Sequence, residues 1–124
     1  MKNKVLALAA AAEAGTGLLL LAWPSLVVRL LFGADISGIG VVMSRIAGIA
    51  LIGLGVSCWP GKSTFQPLNG MLIYSTLAML YFVSVGVRGE AVGLLLWPAV
   101  VIHAVLSVLL FRARFKEEKT PQHK

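Results

Sequence analysis

Carboxylates are scarce in this chain: of 124 residues only five are Asp or Glu, and only Glu13 falls inside an apolar run. Charged residues of both signs make up 13%, against 58% hydrophobic, too little polar surface to cover a water-soluble domain of this size. The single cysteine, Cys58, excludes an intrachain disulfide and any CxxC metal or redox pair, and is expected to be a small apolar packing residue. No nucleophile, base and orienter are grouped as an enzyme would need them. The stretch Pro60-Gly61-Lys62-Ser63-Thr64 resembles the end of a phosphate-binding loop, but Val56 stands where the upstream glycine must be, and no strand precedes it. Nucleotide binding is therefore not expected.

What the chain has is long apolar runs. Four of them, 5–23, 39–59, 68–87 and 91–111, are each long enough to cross the roughly 30 Å hydrocarbon core of a bilayer as a helix. The expected fold is all-α: an antiparallel bundle of four transmembrane helices in a single domain, 1–115, followed by a basic tail, 116–124. The first run continues through Gly15 to Trp23 without a polar break, so Ala12-Glu13-Ala14 is read as part of a span and not as a signal-peptide cleavage site.

The net charge of +6 invites a nucleic-acid reading, but its distribution favours a membrane. Lys2, Lys4, Lys62, Arg112, Arg114, Lys116, Lys119 and Lys124 fall on one side of a four-span chain, and Arg29, Arg45 and Arg88 on the other. This bias places both termini in the cytoplasm, with the protein in the bacterial inner membrane. The tail is expected to touch anionic lipid headgroups, and it lacks the interleaved aromatics of a nucleic-acid site.

Trp23-Pro24 ends the first span, an aromatic at headgroup level before a residue that cannot continue the hydrogen-bond ladder. The following SLVVRLLFG reads as a short amphipathic segment lying at the interface, or as the continuation of a first helix kinked at Pro24. In the second span Gly40, Ser44 and Gly48 recur every four residues and line up small side chains, so this helix is expected to be the most tightly packed. Tyr74 and Tyr81, seven residues apart, should share a face of the third span, where Ser75 and Ser84 can bond back to carbonyls four residues earlier. A short turn, Gly86 to Glu90, should make the third and fourth helices neighbours, with Glu90, Gly93 and Trp97 on one face and a bend at Pro98.

Counting from span ends, Glu13 and His103 both lie roughly 12 Å, and Tyr74 roughly 9 Å, from the cytoplasmic surface. They can form one cluster. Arg45 and Tyr81 lie about 9 to 10 Å from the outer surface. Arg45 either snorkels to that surface or pairs in the interior. In an apolar bundle the charged forms of carboxyl, imidazole and phenol are disfavoured unless they pair, so the cluster suits a ligand grip or a proton relay. The candidate site residues are Glu13, His103, Tyr74, Arg45 and Tyr81. One His and one Glu are too few to hold a metal, and no cofactor is expected.

The order of features resembles small bacterial four-helix membrane proteins: a glycine-containing first span followed by proline, Leu31-Phe32-Gly33 before a loop, then Arg45, Gly48, Leu54-Gly55 and Trp59. That group implies a fold and no particular activity. Ala12-Glu13-Ala14-Gly15-Thr16 in a first span is similar to the small multidrug resistance exporters, a resemblance that implies proton exchange for cationic drugs at Glu13, across a dimer. The leading expectation is a non-enzymatic integral membrane protein, a homo-oligomer or part of a larger membrane complex, surrounded by membrane lipids and holding a lipid or other apolar molecule near Glu13 and His103. A proton-coupled transporter using Glu13 is the alternative.

Overall fold

The computed structural model describes residues 2–62, 65–89 and 91–118 and consists of five helices: α1 (Lys2–Ala22), α2 (Pro24–Phe32), α3 (Ile39–Ser57), α4 (Phe65–Arg88) and α5 (Leu96–Glu118). The fold is all-α, and α1, α3, α4 and most of α5, Leu96–Lys116, are long and apolar enough to cross a membrane. Lys2, Lys4, Lys62, Arg112, Arg114 and Lys116 gather at one end of the bundle, called the basic end below. The opposite end carries α2 and the loops on either side of residues 35 and 92.

Two antiparallel pairs, α1 with α3 and α4 with α5, make up the bundle, and α1 joins them by also touching α4 and α5. The first pair is close because it is glycine against glycine. A Cβ built on Gly48 would lie 2.6 Å from the Gly17 carbonyl oxygen, and one on Gly55 would lie 2.5 Å from that of Ala10. Any side chain at these positions forces the backbones apart. Where lipid supplies no hydrophobic drive, such backbone approach and its van der Waals contact hold helices together. The second pair is pinned by Trp97, whose ring edge covers Gly86, and by a hydroxyl contact of 3.4 Å between Thr76 and Ser107.

The stripe of small residues in α3 is used only in part. Gly48 and Gly55 meet α1, Gly40 faces Ile36, and Gly53 has open space around it. The tight packing expected of α3 is confined to one face: that face lies at backbone distance from α1, while Val42, Met43, Ile46 and Ile49 on the other side are exposed. The central position belongs to α1.

Pro24 starts a new helix and does not merely kink the first. Trp23 leaves the helical conformation with φ −132° and ψ 65°, and Pro24 occupies the first turn of α2, where its missing N–H costs nothing. Gly33 closes α2 in the left-handed conformation at φ 67°, donating its N–H to the Arg29 carbonyl at 2.8 Å. Arg29 and Asp35 pair across the following loop, with a 2.8 Å bond from the guanidinium Nε to the carboxylate.

The fourth long helix begins at Leu96, later than the apolar run suggests. Residues ahead of it are spent on α2: Gly93 N–H donates to Leu31 O at 2.9 Å and Leu95 N–H to Leu30 O at 2.7 Å. These bonds satisfy carbonyls that the end of a helix leaves open. Pro98 consequently lies in the first turn of α5, where it neither bends nor opens the helix. The expected turn face through Glu90 and the tail from Lys119 to Lys124 lie outside the described residues; α5 itself runs through Lys116 to Glu118.

Candidate functional site

Toward the basic end the interior is filled by Leu6, Ala9 and Ala10 of α1, Cys58 after α3, Leu68 and Met71 of α4, and Leu106 and Leu110 of α5. Cys58 is a buried, free thiol in this cluster, as its isolation in the sequence led one to expect. One turn further along α1, where the three helices α1, α4 and α5 meet, comes Glu13. Only 4% of it is exposed.

Two of the sequence candidates surround that carboxyl. His103 of α5 places Nδ1 at 4.0 Å from the Glu13 Oε1 atom, an ion-pair separation beyond the reach of a direct hydrogen bond. Tyr74 of α4 supplies the hydroxyl that interacts with the carboxyl. Tyr74 and His103 also meet edge to face, with ring centroids 6.0 Å apart at 72°. Thus three helices each contribute one polar side chain to one point, and α1 is tied there to the α4·α5 pair. His103 Nδ1 is buried and has no hydrogen-bond partner among the described residues.

The other two candidates stand elsewhere. Tyr81 is 64% exposed on the flank of α4. Tyr74 stands at the edge of the face that Leu68, Met71 and Ser75 bury, so a drift of about 20° over seven residues carries Tyr81 off it, and Phe82 takes the inward position instead, 5.7 Å from the His103 ring and 6.0 Å from Phe32 of α2. Phe82 was not singled out by the sequence reading; its spacing of eight from Tyr74 is the only signal for it. Ser84 donates to the Tyr81 carbonyl, three residues earlier and not four, at 2.9 Å, whereas Ser75 is buried and has no hydrogen-bond partner among the described residues.

Arg45 is exposed and forms no ion pair among the described residues. Its depth also needs correction. Gly48 lies against Gly17, Leu20 and Leu21, and Gly55 against Ala10 and Ala14. Each step toward the start of α3 is a step toward the end of α1, which puts Arg45 level with Leu21 and Ala22, beside Trp23. Counting inward from Ile39 overstated its depth because the first turn of α3 stands beyond α1, next to α2. Arg45 is a residue of the far margin of the bundle and not of its interior.

The fold and the site define a small all-α bundle with four helices of membrane-crossing length around a closed carboxyl–imidazole–phenol cluster. No protein-family model, no curated protein and no solved structure matches the chain.

Proposed function

We propose that this chain is a non-enzymatic integral membrane protein of the bacterial inner membrane, both termini cytoplasmic, acting as a helix bundle in a homo-oligomer or as an accessory subunit, with lipid held against its flanks. The observation that carries this reading is the two-faced packing of α3. One face is locked to α1 at backbone distance, while the opposite face presents Val42, Met43, Ile46 and Ile49 outward. In a bilayer such a face packs against a neighbouring helix or lipid chains. The basic end supports the orientation, because its six described cations would meet the cytoplasmic leaflet. Native mass spectrometry after extraction in mild detergent is expected to show a self-oligomer or a stoichiometric partner. A bare monomer carrying no lipid would overturn the reading.

A second reading, proton-coupled transport through Glu13, is favoured by the 4.0 Å approach of the carboxyl to an imidazole nitrogen with no other partner among the described residues. A proton held between two such groups can be exchanged for a cation that needs the carboxylate. In that case Glu13→Gln abolishes pH-driven uptake of cationic drugs into liposomes and leaves the helical fold intact; uptake unchanged by the substitution excludes it.

A further inference from the structure

Between α1 and α3, toward the basic end, the small side chains that permit close helix approach leave a groove of about 320 Å³ lined by Ala10, Ala11, Ala14, Gly55, Val56 and Trp59. Its lining is apolar except for the Trp59 indole. The register sets Gly55 against Ala10 and Ala14, and α3 ends at Ser57, so Trp59 and, three residues on, Lys62 belong to the turn that follows it at the basic end, where α1 carries Lys4. Lys4 is seven residues before Ala11, on the same face of α1 and about 10 Å from it along the axis. From Lys4 to Ala14 is about 15 Å, half the thickness of a bilayer's hydrocarbon core. Lys4 and Lys62 are both exposed, and neither is in an ion pair among the described residues.

We infer that this groove binds an anionic phospholipid of the leaflet at the basic end, its acyl chain lying along Ala11, Ala14 and Val56 against the Trp59 ring and its phosphate held by Lys4 and Lys62. A helix is roughly 10 Å across with its side chains and would lie over such a groove, whereas a hydrocarbon chain fits inside it. Two ammonium groups at the groove's mouth select a negative headgroup over a zwitterionic one. The inference deepens the lipid-holding part of the function proposed above and rests on its membrane placement.

The full chain released from nanodiscs of equal phosphatidylglycerol and phosphatidylcholine is expected to carry one-lipid adducts in native mass spectra, with the anionic lipid favoured about fivefold or more. Lys4→Gln with Lys62→Gln should bring the two headgroups to parity, and Ala11→Leu, which fills the groove from an exposed position, should lower both adducts. Parity in the unsubstituted chain would overturn the inference. Fluorescence gives a second measure, the Trp59 signal being the part of the emission that Trp59→Phe removes, with Trp97, which pins α4 to α5, left in place. Mid-chain brominated phosphatidylglycerol should then quench Trp59 more than brominated phosphatidylcholine at equal bromine content, and equal quenching counts against the site. An oligomer retained with headgroup parity removes this inference alone; headgroup preference retained in a lone monomer removes only the proposed assembly.

Discussion

Gly48→Leu is expected to separate α3 from α1 and to cost about 3 kcal/mol, the upper end of the usual range for overpacking. The atoms that a Cβ at Gly48 would strike are the Gly17 carbonyl oxygen at 2.6 Å, the Leu21 nitrogen at 3.0 Å and the Leu20 Cβ at 3.1 Å. Two of the three are backbone atoms of a regular helix, which cannot give way as a flexible side-chain end can. The helices must part, and the loss spreads along the whole contact, because Gly55 is held just as closely two turns on. Gly53→Leu is the matched control: it lies in the same helix with nothing within 4 Å of its Cβ position, and its substitution should be neutral or slightly stabilising through better helix propensity. Unfolding of both variants by sodium dodecyl sulfate titration, followed by circular dichroism, checks the pair. Equal stability of the two would mean that backbone contact does not hold α3 in place.

That contrast also shows how far this interface was legible in the sequence. Spacing alone marks Gly40, Ser44 and Gly48 as one stripe, yet Gly48 meets α1 while Gly40 faces Ile36, because the start of α3 rises past the end of α1. Gly55 is used and Gly53 is not, since neighbours two apart on a helix point to opposite sides. The partner of Gly48 proved to be another glycine, Gly17. Sequence periodicity assigns a face to a helix but not the helix that will meet it, so this pairing became visible only in three dimensions.

The polar centre was more legible than the interface. Glu13, His103 and Tyr74 were placed together by counting residues from the ends of three spans at the basic end, where all three helices begin or finish near the same level. The same arithmetic failed for Arg45, whose helix starts with a turn standing beyond its neighbour. It also failed for Pro98, because an apolar run says nothing about which of its residues will be drawn off to bond α2. Ala91 to Leu95 are apolar enough for a span, yet Gly93 and Leu95 donate to Leu31 and Leu30. Hydropathy records the solvent that a segment prefers, and hydrogen-bond partners decide where the helix within it starts.

If the centre ties α1 to the α4·α5 pair, its members should be thermodynamically coupled. Glu13→Ala is expected to cost about 1–3 kcal/mol, since it leaves the Tyr74 hydroxyl in an apolar interior without the carboxyl it interacts with and removes the charge partner 4.0 Å from His103 Nδ1. His103→Ala should cost a comparable amount, part of it from the ring contacts with Tyr74 and Phe82. The double variant should be less damaging than the sum by about 1 kcal/mol, because the interaction between carboxyl and imidazole across 4.0 Å of apolar interior is lost once and not twice. Tyr81→Ala serves as the reference, exposed on the same α4 that carries Tyr74 and expected to add independently to Glu13→Ala. Detergent-unfolding free energies for the four corners of the cycle test this. Strict additivity of Glu13 and His103 would show that 4.0 Å across this interior carries no interaction, leaving the aromatic contacts and the glycine interface to hold the bundle. Coupling of the expected sign would instead identify the carboxyl and imidazole as the joint between the two helix pairs, the place where a change in protonation can alter how the halves of the bundle fit.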